Sequence, residues 1–549
     1  MVVRILPFMS NLRASLAVVA LAMASVSAAE AAPPSSAHSL GQYNIDEGET
    51  SVSGISAGAF MAVQLGVAWS SIIKGVGAVA GGPFDCAHGF ALAGIVDIPD
   101  VAKALGPCMV ADPDGPNVEA AVQATRDYAA GGTIDDPKYI NRQKIYLFDG
   151  YNDGVVRRKV VNALYEYYTH FVAPENRGNI YYQSDIGAGH ALVTDHDRVS
   201  GVDRKALPCD KTGGNFIVDC KYDQAGVILQ HIYGRLNPKN TGKLTGRLIT
   251  FRQSDFVTGG LAMRQAASLG SKGYVYVPAA CAKMAPCRVH IALHGCQQYA
   301  GAPDYTGIPP EPKDLDYVEL TGYREWADTN NIIVLYPQTA PSGTVPFNPK
   351  GCWDWWGYTN GRYDTKAALQ IKAIKATLDS MVDPKAVPGP VAAAPVSLDL
   401  AVSDTSDTRL ALIWRPLPGI AAYQVYRKPG KTPGADGFEQ IAVATGGSFG
   451  DTDLVPGTRY SYYLATPDGS KSQEVGATTR IAAAPCDPFY LPAISQLLAG
   501  RLTLPDPAQP YHYQATGSNQ PVEVASQTQD VNLIQTKAGY FVTGTCPAG

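Results

Sequence analysis

One short stretch decides the fold of this 549-residue chain: Thr50-Ser51-Val52-Ser53-Gly54-Ile55-Ser56-Ala57-Gly58-Ala59-Phe60-Met61. It contains Gly-x-Ser-x-Gly at Gly54, Ser56 and Gly58, with a strand-like run before it and a helix-compatible run to residue 67 after it. A sharp turn from strand to helix needs glycine on both sides of the serine, because larger side chains would collide with the neighbouring elements. The stretch therefore predicts a nucleophile elbow with Ser56 as the nucleophile. A chance match in a chain with 55 glycines is the alternative.

Composition and the N-terminus indicate an exported protein. Charged residues make up 17% of the chain and the net charge is −5, which argues against nucleic acid as a partner because there is no basic surplus. Residues 1–31 are predicted to be a secretory signal: Arg4 and Arg13 precede a short apolar core, and Ala29-Glu30-Ala31 offers a cleavage site. An N-terminal anchor helix is the alternative, but the apolar run is short for a bilayer span, so we expect no membrane association.

Ten cysteines fit an exported chain, in which an even number predicts disulfide bonds. Two pairs are close in sequence, Cys209 with Cys220 and Cys281 with Cys287, although spacing alone does not fix the connectivity. No Cys-x-x-Cys motif or histidine cluster accompanies them, which argues against a zinc site. We therefore expect neither a metal nor an organic cofactor.

The order of predicted elements indicates a large α/β domain followed by a linker. Between residues 42 and 384, short apolar strands alternate with helical patterns, which predicts a parallel sheet covered by helices on both faces. Residues 385–396 are rich in Pro and Ala and are typical of a semi-rigid linker. The predicted strands include 144–148, 288–293 and 332–336, and helices are expected at 95–105 and 155–168.

A pattern typical of an all-β domain follows the linker. Residues 397–480 contain short alternating strands, and the run Asp451-Thr452-Asp453-Leu454-Val455-Pro456-Gly457-Thr458-Arg459-Tyr460-Ser461-Tyr462 resembles the E–F corner of fibronectin type III domains. Residues 485–549 are predicted to form a separate small module, closed by a disulfide between Cys486 and Cys546. Its tyrosines and low charge suit adsorption to an apolar polymer, and a purely structural C-terminal cap is the equal alternative.

A serine nucleophile needs a base, and the base needs an acid that orients it. In α/β-hydrolases the acid and then the histidine follow the serine along the chain, on turns after successive strands. Asp153 lies on the turn after the predicted strand 144–148, where the acid belongs; Asp149, at the strand end, is the competitor. His190 lies on the Gly-rich loop after the next strand and is the predicted base, whereas its nearest rival, His196, lacks that loop setting.

A tetrahedral intermediate also needs hydrogen-bond donors for its oxyanion. The N–H of Ala57, directly after the nucleophile, is one predicted donor. The second normally comes from a His-Gly motif near the start of the fold, and here that motif is Leu293-His294-Gly295-Cys296, after the acid and the base. This position predicts a circular permutation of the α/β-hydrolase fold, with the N–H of Cys296 as the second donor.

Together with Asn348-Pro349-Lys350-Gly351-Cys352-Trp353-Asp354-Trp355-Trp356-Gly357-Tyr358, these motifs resemble the extracellular poly(3-hydroxybutyrate) depolymerases. The closest resemblance is to the subgroup whose Gly-x-Ser-x-Gly box lies near the N-terminus of a circularly permuted catalytic domain. It covers about residues 42 to 383, and it implies hydrolysis of an insoluble polyester by a secreted serine esterase, with a polymer-binding module at the C-terminus. We expect Trp353 to form a wall of the substrate cleft and the protein to be a monomer.

Two other classes of function remain open at this point. A secreted feruloyl or acetylxylan esterase would carry the same catalytic residues, although the aromatic run from Trp353 to Trp356 and the appended modules favour the polyester. A non-catalytic adhesion protein would use the fibronectin type III domain as its working part.

Overall fold

An eight-stranded sheet organises the first part of the chain in the computed structural model. In space the strands follow the order β5-β6-β8-β7-β1-β2-β3-β4, and β6 runs antiparallel to both of its neighbours. In chain order they are β1 (Thr50–Ile55), β2 (Ile73–Val79), β3 (Lys144–Phe148), β4 (Ile180–Gln183), β5 (Arg247–Arg252), β6 (Lys272–Val277), β7 (Arg288–Leu293) and β8 (Ile332–Tyr336). The first four strands of the chain thus form one half of the sheet and the later four the other half. The circular permutation of the fold stays a prediction.

The structure describes residues 40–92, 96–98, 100–196, 206–302, 315–386, 398, 400–417, 419–429, 437–467, 471–480, 487–498, 500–506, 509, 511–525, 529–537 and 540–544. The predicted signal at residues 1–31 and most of the predicted linker at 385–396 lie outside these ranges. Cys486 and Cys546, the predicted closure of the last module, also lie outside them.

Helices cover both faces of the sheet, as the alternating pattern predicted. The side chains of α1, α3, α4 and α9 contribute to one hydrophobic cluster, and those of α5, α7 and α8 contribute to the other. Every residue of α1 is buried, which explains why all of its residues except Gln64 lack a polar side chain. The helices are α1 (Ala57–Ala68), α2 (Val101–Leu105), α3 (Val118–Ala130), α4 (Arg158–Thr169), α5 (Gln224–Tyr233), α6 (Leu261–Ala266), α7 (Asp316–Leu320), α8 (Tyr323–Asn330) and α9 (Leu369–Met381).

The helix predicted at residues 95–105 is wrong in its first part. Val96–Ile98 is a strand that pairs with Phe90–Leu92, and α2 begins only at residue 101. The side chain of Asp100 accepts a hydrogen bond from the N–H of Lys103 and so caps the helix at that point. The other short strands of this domain are Leu192–Thr194, Leu207–Pro208 and Ile217–Asp219.

A buried polar ladder joins β1 to β7 at the middle of the sheet. His290 lies between two serines, with Nδ1 2.7 Å from Ser51 Oγ and Nε2 2.8 Å from Ser53 Oγ. Tyr233 and Tyr323 extend the ladder with hydroxyl contacts of 2.7 and 2.6 Å to the same two serines. Burial lowers the pKa of His290 to about 3, so the ring is neutral at physiological pH.

The all-β domain predicted after the linker is a sandwich of two sheets. Three strands form one sheet in the order β9-β10-β13, and four form the other in the order β12-β11-β14-β15. Trp414, Tyr423 and Tyr462 are fully buried in its core, where the sequence placed them. The strands are β9 (Ala401–Thr405), β10 (Leu410–Ile413), β11 (Ala422–Pro429), β12 (Glu439–Thr445), β13 (Ser448–Asp451), β14 (Arg459–Ala465) and β15 (Val475–Thr478).

This sandwich packs against the β4 edge of the large sheet. The guanidinium of Arg409 donates to the carbonyl of Ile180 in β4 at 3.2 Å. Lys144 of β3 donates to the carbonyl of Ser448 at 3.2 Å and to the side chain of Asn179 at 2.7 Å. The sandwich therefore contacts β4, an edge strand whose unpaired backbone N–H and C=O groups would otherwise be exposed.

The described part of the last module is a small β-structure with its own hydrophobic cluster. Its two three-stranded sheets run in the orders β16-β20-β21 and β17-β18-β19. Phe489, Tyr513, Leu533 and Phe541 belong to its core. Its elements are β16 (Asp487–Pro492), α10 (Ala493–Leu498), β17 (Leu502–Thr503), β18 (His512–Ala515), β19 (Pro521–Glu523), β20 (Asp530–Lys537) and β21 (Tyr540–Thr543).

Four disulfides link cysteines of the described residues. Two of them are the predicted neighbouring pairs, Cys209–Cys220 and Cys281–Cys287, which are thereby confirmed. The other two are Cys86–Cys108 and Cys296–Cys352. Among the helices of the described ranges, none is both long and apolar enough to cross a membrane.

Candidate active site

Ser56 lies at the turn between β1 and α1 in a strained backbone conformation, with φ 55° and ψ −125°. Its N–H donates to the carbonyl of Val79 in the neighbouring strand at 2.9 Å, which holds the turn in place. The two flanking glycines are sterically required. A Cβ on Gly54 would lie 2.2 Å from the carbonyl oxygen of Gly58, and a Cβ on Gly58 would lie 2.3 Å from that of Leu293. Strain of this kind persists where the surrounding structure enforces it, and it is typical of functional sites.

Asp153 and His190 form a buried pair. Nδ1 of His190 lies 2.7 Å from Oδ2 of Asp153, and the two side chains are only 6% and 1% exposed. The second carboxylate oxygen, Oδ1, accepts hydrogen bonds from the N–H groups of Val155 at 2.8 Å and Val156 at 3.0 Å. A carboxylate at Nδ1 keeps a proton on that nitrogen and leaves Nε2 able to accept one from a hydroxyl.

The segment that carries the acid, residues 149–157, is named here the acid turn. It is joined to the histidine loop, because the N–H of Asn152 donates to the carbonyl of Ala188 at 3.2 Å. The N–H of His190 in turn donates to the hydroxyl of Thr212 at 2.8 Å. Asp153 and His190 are thus held in place by their backbones as well as by their mutual hydrogen bond.

Asp149 and His196, the alternatives to Asp153 and His190, have other partners. Asp149 accepts hydrogen bonds from Arg158 at 2.8 Å and from the hydroxyl of Tyr182 at 2.6 Å. Burial raises the pKa of Asp149, and the charge of Arg158 partly opposes that increase. His196 is paired with Asp195 at 2.8 Å. Of the two carboxylates, it is Asp153 that contacts His190.

The His-Gly motif follows β7, which lies beside β1 with Leu293 opposite Gly54. A Cβ on Gly295 would lie 3.5 Å from the Cβ of Ser56, so the motif borders the nucleophile. Among the described residues, neither the N–H of Ala57 nor that of Cys296 takes part in a hydrogen bond. Both predicted donors therefore remain available near the serine.

His294 and Gln298 hold this motif in place, and neither role could be predicted from the spacing of residues. Nδ1 of His294 lies 2.7 Å from the carbonyl oxygen of Gly295, while its Nε2 accepts the N–H of Thr339 at 3.2 Å. Burial lowers the pKa of His294 to about 4, so the ring is neutral. Since the C=O and N–H of a trans peptide point in opposite directions, anchoring the Gly295 carbonyl turns the N–H of Cys296 away from His294.

Gln298 links the motif to the histidine side of the site. Its Oε1 accepts the N–H of Gly295 at 2.7 Å, and its Nε2 donates to the carbonyl of Phe216 at 3.2 Å. The ring of Phe216 meets that of His190 edge to face, with centroids 6.3 Å apart. Among the described residues no hydrogen bond of the Ser56 hydroxyl is found, and its side chain does not cap α1. Hydrogen bonds to a catalytic serine are often long in enzymes without substrate.

Trp353 is the residue predicted to form a wall of the substrate cleft. Its side chain is fully buried, and its ring centroid lies 5.5 Å from that of His294. The Cys296–Cys352 disulfide joins the residue before Trp353 to the His-Gly motif. Trp353 packs behind that motif, and a contact with substrate stays a prediction.

The elbow at Ser56, followed along the chain by the paired Asp153 and His190, identifies a serine ester hydrolase of the α/β-hydrolase class. The poly(3-hydroxybutyrate) depolymerase of Delftia acidovorans is 36% identical over 552 residues, spanning 98% of this chain and 99% of that protein. The chain belongs to the poly(3-hydroxybutyrate) depolymerase family.

Other relatives match the catalytic part. The polyhydroxybutyrate depolymerase of Talaromyces funiculosus is 34% identical over 357 residues, covering 63% of this chain and 93% of that protein. The crystal structure of the PHB depolymerase from Penicillium funiculosum covers 63% of this chain and 98% of its own, at 32% identity and a TM-score of 0.53. A PHB depolymerase complexed with an R3HB trimer matches at the same identity and TM-score. No protein-family model matches the chain.

Proposed function

We propose that this protein hydrolyses the ester bonds of poly(3-hydroxybutyrate)-type polyesters through an acyl-enzyme on Ser56. The observation that carries the proposal is the buried hydrogen bond of 2.7 Å between Asp153 and His190 on the same sheet edge as the strained Ser56. The similarity to the depolymerase of Delftia acidovorans over 98% of the chain supplies the substrate class.

The reaction follows from the roles of the side chains. His190 takes the proton of Ser56 as Oγ attacks the ester carbonyl, and Asp153 stabilises the imidazolium that forms. The N–H groups of Ala57 and Cys296 bind the oxyanion, each contributing about 3–4 kcal/mol in comparable enzymes. His190 then returns the proton to the departing alkoxide, which leaves as the alcohol end of the polymer. Water, deprotonated by the same histidine, splits the acyl-enzyme and releases the carboxylic acid.

Replacement of the nucleophile tests the proposal directly. Ser56→Ala should abolish the clearing of a poly(3-hydroxybutyrate) granule suspension while leaving the melting temperature within a few degrees. An organophosphate should label the wild-type protein once, at Ser56, and should not label the variant. Retained clearing by Ser56→Ala would reject the assignment, and absence of labelling would favour the adhesion hypothesis.

The polysaccharide esterase remains the alternative to be tested in parallel. Assays on polyester granules and on acetylated or feruloylated xylan should give turnover on the granules alone. Preferential release of acetate or ferulate would overturn the substrate assignment without affecting the mechanism.

Export, the polymer-binding role of the last module and the monomeric state belong to the same proposal. Disulfides among the described residues and the similarity to depolymerases support a secreted enzyme that works on an insoluble substrate. A substrate contact by Trp353 requires the residues that cover its ring to move. Trp353→Phe should then raise the KM for a soluble 3-hydroxybutyrate trimer, and an unchanged KM would assign Trp353 to packing alone.

A further inference from the structure

The C-terminal module, defined by its described residues between 487 and 544, is docked on the acid turn. The N–H of Tyr490 donates to the carbonyl of Gly154 at 3.0 Å, one residue after Asp153. The approach is so close that a Cβ on Gly154 would lie 2.1 Å from the nitrogen of Tyr490. Pro488 of the module also lines a small cavity beside Asp153. The two segments therefore meet backbone to backbone at the acid turn.

An aromatic ring fixes the other end of the same turn. Phe489 lies between two guanidinium groups, with its ring centroid 3.7 Å from Cζ of Arg157 and 4.1 Å from Cζ of Arg501. All three residues are buried, at 3%, 8% and 6% exposure respectively. Cation–π contacts strengthen when water is excluded, so this stack is a firm attachment and not an incidental surface contact.

The same contacts extend to a second segment of the catalytic domain. Arg501 forms an ion pair with Asp112 at 2.9 Å. The N–H of Arg157 donates to the carbonyl of Met109 at 2.9 Å, just before that aspartate in the chain. The module therefore binds the acid turn and the segment packed beside it as one surface.

These attachments enclose the hydrogen bonds that aim the catalytic carboxylate. Oδ1 of Asp153 accepts the N–H groups of Val155 and Val156. Both valines lie between Gly154 and Arg157, the two residues that the module contacts. A shift of the turn would rotate the carboxylate relative to His190, and a misplacement of about 1 Å can cost roughly 100-fold in rate.

We propose that the C-terminal module positions the catalytic acid, with Phe489 as a positioning residue that acts through the acid turn. The proposal rests on the proposed function, since it assumes that Asp153 is the acid. It assigns the module a task separate from any binding of polymer. Turnover of a small soluble ester should then depend on the module, whereas a module that only adsorbs to polymer would leave that turnover unchanged.

Variants of Phe489 in the full-length protein test this with p-nitrophenyl butyrate as the soluble substrate. Phe489→Leu keeps an apolar side chain but removes the ring, and it should lower kcat about tenfold with KM changed less than twofold. Phe489→Trp restores an aromatic face and should recover most of kcat. Tyr511→Ala is the matched control, because Tyr511 is an exposed aromatic residue of the same module; it should leave kcat unchanged.

The outcomes separate this proposal from the proposed function. Wild-type kcat in Phe489→Leu would overturn the positioning role, even if hydrolysis of granules fell. Equal losses in Phe489→Leu and Phe489→Trp would also overturn it, because the aromatic face would then be irrelevant. If Phe489→Leu does not fold, Gly154→Ala provides the second variant: it displaces the module by steric contact and should lower kcat similarly, and unchanged kcat would again refute the role. Failure of the proposed function would instead appear as activity in Ser56→Ala.

Discussion

Replacing Asp153 by Asn tests whether Asp153 or Asp149 is the catalytic acid, because asparagine has almost the same shape as aspartate. In the native protein Oδ1 of Asp153 accepts two backbone N–H groups, at 2.8 and 3.0 Å, and Oδ2 faces Nδ1 of His190 at 2.7 Å. An asparagine must keep its carbonyl oxygen toward the two N–H donors, because its NH₂ group cannot accept from them. Its NH₂ group then points at Nδ1 and makes that nitrogen the acceptor.

The consequence is a histidine in the wrong tautomer. With the proton on Nε2, His190 has no lone pair to take the proton of Ser56. The equivalent change in a serine protease triad lowers kcat by about 10⁴, which corresponds to about 5.5 kcal/mol of transition-state stabilisation. Because the amide is almost the same size as the carboxylate, we expect the fold to remain intact.

The assay compares kcat for p-nitrophenyl butyrate in Asp153→Asn and in the matched control Asp149→Asn, with the melting temperature of each. Asp149 pairs with Arg158 and Tyr182, so its replacement should lower the melting temperature and reduce kcat less than about tenfold. A small loss in Asp153→Asn combined with a loss of several orders of magnitude in Asp149→Asn would refute the reasoning and identify Asp149 as the acid.

Three further predictions concern the surroundings of the site. Gly58→Ala should lower kcat at least about 100-fold, since the added Cβ would lie 2.3 Å from the carbonyl oxygen of Leu293 in β7. Normal kcat with a native circular dichroism spectrum would contradict this. Replacing both Cys296 and Cys352 by Ser opens a link between residues 56 apart in sequence, and urea unfolding should show a loss of up to about 4 kcal/mol. Burial lowers the pKa of Lys144 to about 7, whereas the unfolded chain holds this proton to about pH 10.4. The unfolded chain binds more protons than the folded one between pH 7 and about 10, so the free energy of unfolding rises over this range. The melting temperature of the wild type minus that of Lys144→Met should therefore increase from pH 7 to about 10. A constant difference would contradict the lowered pKa.

Much of the sheet could be predicted because its central strands are continuous apolar runs. The strands Lys144–Phe148, Arg288–Leu293 and Ile332–Tyr336 have the predicted bounds. The helix predicted at residues 155–168 begins instead at Arg158. In its first turn the N–H groups of Val155 and Val156 bind the carboxylate of Asp153, and the N–H of Arg157 binds the carbonyl of Met109. The contact with Met109 is a tertiary one that no local pattern reveals.

The candidate catalytic residues could be predicted from the sequence, but the residues that hold them in place could not. The position of Asp153 on the turn after a predicted strand favoured it over Asp149 as the partner of His190, and the structure places Asp153 and His190 in contact. The roles of His294 and Gln298 depend on which backbone groups they meet across the fold, and sequence spacing carries no such information. The burial of Trp353 depends on packing against residues distant in the chain, such as His294, and sequence spacing does not reveal that packing.

The polar ladder of His290 also specifies how the sheet assembles. Ser51 and His290 are 239 residues apart, so the middle of the sheet forms only after a long loop has closed, a step that slows folding. A slip of β1 by two residues would keep its side chains on the same faces and would pass any test of hydrophobic pattern. It would, however, leave a buried imidazole nitrogen or hydroxyl without a partner, at a cost of about 1–3 kcal/mol for each group. The ladder therefore stabilises the native register of the sheet over misaligned ones, and that register brings the turn at Ser56 beside the His-Gly motif.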